Sequence, residues 1–546
     1  MAEERVGEVG NQSSSQSEAR WFGWADWRAT VLFVLALLVV RIIYLVWLSP
    51  WELISDEAHY WEWSRRLSLS YYSKGPGVAW MIAASTGLFG VSEWAVRLPA
   101  AISSAVGGLV LARLTNDVTG DQRAGFLAVV AFSLIPIFQL EAQLMTIDPP
   151  FMASWLICTW IAWHAFRAHK RGQVAWHLWA LLGLALGVGF LVKYIIVLLP
   201  PSLLLYAILR RRELHWDRRC ILAIALVVIF AAIGMTPWII WNANHGWPAI
   251  RHELGHLGAP GGDVAPQWEE PHGIPSLLEF VGGEIGVLGI PAFVLMVMAT
   301  VRAIRRRGEE PDRWSGHVFL LSAGLPTIGF FALASLKTGV EANWPASGYL
   351  SLLVLVAAYS VREVPKWLAQ VKRASVPASE QYRAPRNWWV IGWRWMIGWG
   401  IVTATIVGFP NAWARLPVIG EAVPMHRLTG ARSLAAEVDA LRHDLREQTG
   451  KEPLVMASHY GVASELAFYL QGRPTTYGAG KYVGRRESQY AYWEDTDLTN
   501  PALYGRPAIM VEQPAEKWRE AFRFDSIETV REDPPVHVGL DYRGVK

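Results

Sequence analysis

Long apolar runs recur along the chain, separated by short polar loops. A helix needs roughly 20 mostly apolar residues to cross about 30 Å of hydrocarbon. Runs of about that length fall near 29–48, 97–113, 124–142, 149–166, 175–192, 194–209, 220–241, 277–301, 317–336, 345–361 and 390–408, which predicts eleven spans. A shorter run, 76–90, suits a re-entrant or interfacial position. Basic clusters then orient the chain. Arg113/Arg123, Arg167/Lys170/Arg171, Arg210–Arg212 with Arg218/Arg219, Arg302/Arg305–Arg307 and Lys366/Lys372/Arg373 alternate with loops poor in Lys and Arg. If 76–90 does not cross, every cluster falls on one side, which the positive-inside rule makes cytoplasmic. The N-terminus is then cytoplasmic too. The 49–75 stretch, the Asp148 loop, loop 242–275, loop 337–344 and everything after 410 face outside.

After residue 410 the pattern changes. AAEVDALRHDLREQ has helical spacing, PLVMASHY and PAIMVEQ read as strands, and GVASELAFYL reads as a helix. The fold class is thus an α-helical polytopic membrane protein with a small C-terminal external α/β domain. Three regions follow: a polar, disordered-looking N-terminus (1–28), a membrane region (29–410) and the α/β tail (411–546). The segment 374–387 reads as a cytoplasmic linker. There is no internal repeat, and the acidic start followed by a late apolar run does not suit a cleavable signal peptide. Composition agrees. The chain is 52% hydrophobic with 30 Trp and only 18% charged residues, and Trp favours membrane interfaces. A net charge of +3 gives no footprint for nucleic acid. The two cysteines, Cys158 and Cys220, sit in or beside apolar segments and read as buried thiols.

The stretch ISDEAHYWEWSRRLSLSYYSKGPG (54–77) concentrates acids, bases and rings just outside the first span. Tyr60, Trp63 and Leu67 share one helical face, and His59, Glu62 and Arg66 another. The pattern predicts a helix lying flat in the headgroup layer. A carboxylate there, Asp56, can take a proton from an attacking hydroxyl. An ammonium, Lys74, can balance a phosphate leaving group. The plainer alternative is that Asp56 caps the helix and Lys74 snorkels.

Other polar groups sit at the same level. Asp148 in MTIDPPF lies at the end of a span, where an acid is costly unless used or paired, or else caps the helix begun by Pro149–Pro150. Lys193 ends the Gly-rich run LGLALGVGFLVK, as a snorkelling anchor or a partner for lipid phosphate. Glu341 and Asn343 occupy a short loop and suit sugar hydroxyls. The sequence His252-Glu253-Leu254-Gly255-His256 matches the H-E-x-x-H zinc pattern. Gly and Pro end that helix soon after, and no apolar helix supplies an acidic third ligand. A zinc metalloprotease is therefore the weaker alternative, beside a transporter of lipid-linked substrate. No cofactor is required; a divalent metal on His252, His256 or His245 is the one these residues could hold.

The 56–80 stretch resembles the first external loop of the glycosyltransferase C superfamily. It is closest to the bacterial branch related to protein mannosyltransferases and to lipid A aminoarabinose and galacturonic acid transferases. MTIDPPF (145–151), PWIIWNANHGWPAI (237–250), EANWPAS (341–347) and SELAFYL (464–470) are similar as well. The resemblance implies transfer of a sugar from a polyprenyl-phosphate carrier to a lipid, glycan or protein acceptor. The reaction would lie on the outer face of a bacterial inner membrane, with inversion at the anomeric carbon. It implies catalytic roles for Asp56 and Asp148 and phosphate contact for Lys74. Glu57, Tyr72, Lys193, His245, Glu341 and Asn343 join the donor-binding candidates. Two positions depart from the family pattern. Gly75 replaces the first proline of Lys-Pro-Pro, which is expected to loosen the turn. His59 replaces a common aromatic. The tail is read as a cover or acceptor dock without chemistry of its own.

Overall fold

The computed structural model describes the chain except residues 1–22, 215–216, 257–258, 264–272, 306–310, 375–386, 418–419 and 421–424. Most of the N-terminal segment 1–28, nearly all of the 374–387 linker, part of loop 242–275, and Arg306 and Arg307 lie outside the described residues.

Every predicted apolar run is helical. In chain order the helices are α1 Trp27–Ile43, α2 Ser55–Ser64, α3 Gly77–Phe89, α4 Glu93–Thr119, α5 Gln122–Leu134, α6 Pro136–Glu141, α7 Asp148–Lys170, α8 Trp176–Phe190, α9 Leu199–Leu209, α10 Arg218–Gly234, α11 Thr236–Asn244, α12 Pro248–His256, α13 Ile274–Leu288, α14 Ile290–Arg305, α15 Pro311–Ala334, α16 Ala346–Ala374 and α17 Trp388–Gly408. Among the described residues five helices are long and apolar enough to cross a membrane, in α1, α4, α15, α16 and α17. Two further apolar runs are broken. The pair α10 and α11 bends by 58°, and α13 and α14 meet at 106°. The second bend corrects the expectation of one continuous span over 277–301. Gly289 takes φ +77° at the break, a region that favours glycine, and Pro291 follows with no N–H to give. The run 124–142 is also interrupted, at Ile135 before Pro136.

Close helix contacts come from small residues. A Cβ on Gly183 would lie 2.4 Å from the Val227 carbonyl oxygen, and one on Gly187 would lie 2.4 Å from that of Ala231. The G-x-x-x-G spacing thus lets α8 lie backbone to backbone on α10. This close packing holds the end of α8, where Leu191, Val192 and Lys193 follow.

The tail forms α18 Ala431–Thr449, α19 Tyr460–Tyr469 and α20 Ala515–Ala521 around strands β1 Leu454–Ala457, β2 Thr476–Gly478, β3 Ala508–Val511, β4 Ser526–Glu532 and β5 Pro535–Leu540. The sheet order is β2-β1-β3-β5-β4. β1 pairs parallel with β2 and β3, and β5 pairs antiparallel with β3 and β4. The strands and helices expected in PLVMASHY, GVASELAFYL and PAIMVEQ are present. β2, β4 and β5 are additions. β4 is mostly exposed, so its burial pattern carries no clean apolar alternation.

Helix α2 does not lie free on a surface. Glu57, Ala58, His59, Tyr60, Trp61, Glu62 and Trp63 are buried, because α19 of the tail packs along it. His59 Nδ1 is 3.0 Å from Ser464 Oγ, Ser55 donates to Glu465 at 2.7 Å, and the Trp61 and Phe468 rings meet edge to face at 4.9 Å. That contact explains why SELAFYL belongs with the loop motifs.

Gly75 does not loosen its turn. The 71–77 loop lies flat on the end of α8: Gly77 N–H donates to Leu191 O at 2.9 Å, and a Cβ on Gly75 would sit 2.2 Å from the same oxygen. Glycine is needed for close approach. Gly75→Ala is expected to lift the loop and cost about 1–3 kcal/mol of stability. A thermal midpoint in lipid nanodiscs equal to wild type would show that the loop tolerates a side chain there.

Candidate active site

A cleft of about 580 Å³ opens between α2, the 71–77 loop, the start of α7, the end of α8, α12, the 341–344 loop and the tail. Of the residues singled out from sequence, Asp56, Lys74, Tyr72, Asp148, Lys193, Glu341, Asn343, His252 and His256 line it. Glu57 and His245 do not.

Glu57 is enclosed instead in a polar knot. Arg97 Nε and Nη2 donate to its two carboxylate oxygens at 2.9 and 2.7 Å. The Met145 amide donates to Oε1 at 2.8 Å, and the Ile54 amide to Oε2 at 3.2 Å. Both Glu57 and Arg97 are at most 1% exposed. Arg97 also donates to the carbonyls of Trp51 and Glu52. Glu57 is thus a framework residue that ties α2 to α4 and to the turn that leads into Asp148. The bond to Ile54 also makes Glu57 the residue that caps α2. Asp56 makes no cap hydrogen bond.

Asp56 is free to face the cleft. Its nearest side-chain partner is the Tyr460 hydroxyl, 3.5 Å from Oδ1. The group meets cleft solvent yet is surrounded by protein under the tail, and this burial raises its pKa against the opposing pull of Arg486 and Lys74. Tyr460, in turn, is pushed up to about 12 by burial and by Asp56.

Asp148 is held differently. Lys193 Nζ sits 2.5 Å from Oδ1 and Asn343 Nδ2 2.9 Å from Oδ2. Asp148 and Lys193 are 3% and 5% exposed. Ile147, not Asp148, holds the N-cap position of α7, and no side chain caps the helix there. The Asp148 amide donates to the Thr146 hydroxyl at 3.1 Å. So Asp148 is no cap, and Lys193 does not snorkel: the two charges neutralise each other inside the protein.

Lys74 Nζ is 2.9 Å from Glu253 Oε1. Burial opposes ionisation of Glu253, but the adjacent ammonium wins and holds the carboxyl below its usual value. Tyr72 donates from its hydroxyl to Asp263 at 2.5 Å, and its amide donates to Gln489 of the tail at 2.6 Å. Glu341 is exposed at the cleft edge. His245 follows α11, stacked on Trp241 with ring centres 4.1 Å apart, and does not line the cleft.

The H-E-x-x-H segment is a helix, α12, with His252 Nε2 and His256 Nε2 3.1 Å apart. Burial lowers both imidazoles, His256 to about 4, so they are neutral at pH 7. Neutral, facing imidazoles can ligate a divalent metal. Among the described residues, no third ligand completes a set with them; the three-ligand grouping present is His169, Asp217 and Cys220, which does not line the cleft. Glu253, the base in a zinc protease, is committed to Lys74.

The sequence marks Glu253 only as the base of a zinc pattern and does not single out Tyr460, Arg486 or Gln489, and all four are on the cleft wall. The zinc pattern drew attention to the histidines and away from the acid between them. Arg486 sits in GRRES, where nothing local marks it.

Residues 73–241 match the family described as dolichyl-phosphate-mannose-protein mannosyltransferase. An undecaprenyl phosphate-alpha-4-amino-4-deoxy-L-arabinose arabinosyl transferase of Pseudomonas aeruginosa is 30% identical over 467 residues, covering 73% of this chain and 80% of its own. The chain belongs to the glycosyltransferase C superfamily, in the branch of the lipid A aminoarabinose and galacturonic acid transferases. A lipid A galacturonosyltransferase of Rhizobium johnstonii is 27% identical, covering 62% of this chain and 67% of its own. The fold agrees with ArnT from Cupriavidus metallidurans in the apo state, at TM-score 0.59 and 18% identity over 93% of this chain and 97% of that one. The same enzyme solved with undecaprenyl phosphate matches equally, over 95% and 98%.

The knot at Glu57 generates a prediction that separates framework from ligand binding. Glu57→Gln leaves Arg97 buried and uncompensated, which typically costs about 3–5 kcal/mol. Arg97→Met alone is expected to destabilise similarly, whereas the double variant recovers part of the loss. Thermal unfolding in nanodiscs reads this, and unchanged midpoints in both single variants would contradict the framework role.

Proposed function

We propose that this cleft transfers a sugar from a polyprenyl-phosphate carrier to a lipid acceptor on the outer face of the membrane. The observation that carries the reading is the pairing, in one cleft, of a free carboxylate and lysines with an apolar flank. Ile195, Val197, Leu198, Phe330 and Phe331 line that flank. A prenyl chain lies against them while its phosphate meets Lys74, which exchanges its Glu253 contact for phosphate oxygen. The acceptor oxygen then attacks the anomeric carbon from the opposite side. The bond from that carbon to the phosphate oxygen breaks, and its electrons leave with the phosphate. Lys74 stabilises that charge in a partly dry site.

Asp56 takes the acceptor proton. Burial makes it a stronger base than a solvated carboxylate. Asp148, fixed by Lys193 and Asn343, orients the acceptor or sugar hydroxyls. If the acceptor is itself a phosphate, Asp56 orients it and no proton moves. One displacement inverts the configuration. The relatives' names supply two sugar classes, a 4-amino pentose and a uronic acid.

Asp56→Asn tests the base. The amide keeps size but does not accept a proton at neutral pH. Turnover is expected to fall about 10²–10⁴-fold with donor binding retained. Lys74→Ala is expected to weaken donor use more than folding. In wild type the acidic limb of the rate profile should lie above the ordinary carboxylate value of about 3.9, because a raised pKa leaves Asp56 protonated, and idle, to higher pH. Near-normal turnover in Asp56→Asn removes Asp56 from catalysis.

The orientation rests on the basic clusters. In a protein cleared of its two cysteines, a cysteine at Glu341 is expected to react with an impermeant thiol reagent in intact cells, and one at Arg212 only after permeabilisation. The reverse pattern would place the cleft on the cytoplasmic side.

A further inference from the structure

The charges around the cleft leave an arginine unmatched. Lys74 is paired with Glu253, and Lys193 with Asp148. Arg486 lines the same cleft and has no carboxylate partner among the described residues. It donates from Nη2 to the Tyr460 hydroxyl at 3.2 Å, with its guanidinium 5.4 Å from that ring. Arg427 also lines the cleft, and both arginines are exposed there, but Arg427 borders undescribed residues while Arg486 is held by Tyr460. Arg486 shares the cleft with Asp56, His252 and His256, close enough for its charge to act on all three. The hydroxyl of Tyr460 alone separates its guanidinium from Asp56.

A guanidinium presents a planar fork that matches the paired oxygens of a carboxylate or phosphate. The single hydroxyl contact uses one of its five N–H groups and leaves the others available to an anion entering the cleft. We propose that Arg486 is an anion-binding residue of the transfer cleft, receiving a carboxylate or phosphate of the substrates distinct from the carrier phosphate. The group is the uronate of the transferred sugar or a phosphate monoester of the lipid acceptor. This rests on the sugar-transfer reading above, in which Lys74 holds the carrier phosphate. The tail then selects substrate as well as covering the site.

The test uses full-length wild type, Arg486→Gln and Arg486→Lys in nanodiscs, with thermal midpoints as a folding control. The donors are undecaprenyl-phosphate galacturonate and undecaprenyl-phosphate 4-amino-4-deoxyarabinose. The acceptors are lipid A with and without its phosphates. Wild type is expected to prefer the pair carrying an anion at one of these places. Arg486→Gln should lower kcat/KM for that pair by about 10- to 100-fold, the size of a charge-assisted hydrogen bond. Arg486→Lys should recover part of it, and pairs lacking the anion should lose much less, only what Asp56 loses with the neighbouring positive charge. Binding of undecaprenyl phosphate alone should not change. Loss tied to the uronate donor identifies the sugar as the source, and loss tied to the acceptor phosphate identifies the lipid. Three results overturn the proposal: equal loss on every pair, which makes Arg486 a prop for Tyr460 and Asp56; lost binding of undecaprenyl phosphate; or no anion preference in wild type. Absence of any transfer by wild type removes the sugar-transfer reading itself and the proposal with it.

Discussion

The ion pair between Glu57 and Arg97 is the constraint on which the cleft depends. Two charges inside a membrane protein are tolerable only if nearly every lone pair and proton finds a partner. Here the carboxylate takes four hydrogen bonds, from Arg97, Met145 and Ile54. Those donors come from three separate parts of the chain. Satisfying one buried acid therefore fixes α2 against α4 and pins the approach to Asp148. Asp56 is the neighbour of Glu57, and Asp148 lies three residues past Met145. The relative placement of the two cleft acids follows from the needs of a third acid that never meets the cleft.

A second economy governs the cations. Lys193 and Asp148 are both almost fully buried and in direct contact. Lys74 and Glu253 meet at a more open position, with side chains 22% and 37% exposed. An arriving anion can compete for Lys74 at modest cost, because water already screens that pair. To reach Lys193 it would have to break a dry contact with an Asp148 that Asn343 also holds. The difference in burial, more than the identity of the residues, separates a lysine suited to binding from one suited to holding a neighbour.

Much of this was legible in the sequence. Apolar run length marked the long apolar helices, because hydrocarbon sets a length that composition must meet. Of eleven expected spans, however, five described helices, or seven with the bent pairs, are long and apolar enough to cross. Asp56, Lys74 and Asp148 were legible as ionisable groups beside apolar runs, where charge is costly without a use. What escaped were partnerships across long separations. Nothing local says that Glu57 meets Arg97, that Lys74 meets Glu253, or that Arg486 stands behind Tyr460. Glu57 was misread for an instructive reason: it shares a motif with Asp56, but one residue on a helix turns the side chain by about 100° and sends it to the other wall. Gly75 was misread because conformational freedom was assumed where the actual need was space.

The tail shows the same lesson at larger scale. Composition changes sharply near residue 410, and a boundary there is the natural reading. Packing ignores it. One continuous apolar cluster joins Leu53, Trp61, Tyr71 and Met145 to Val438, Val455, Leu466, Phe468 and Val536. Ser55, Arg65 and Arg66 are tied across it to Glu465, the Arg473 carbonyl and Asp495. The nearest side-chain partner of Asp56, Tyr460, therefore lies 404 positions away. A change of composition records a change of solvent, from hydrocarbon to water. It does not record where a core ends, and the site occupies the layer where both regions share one.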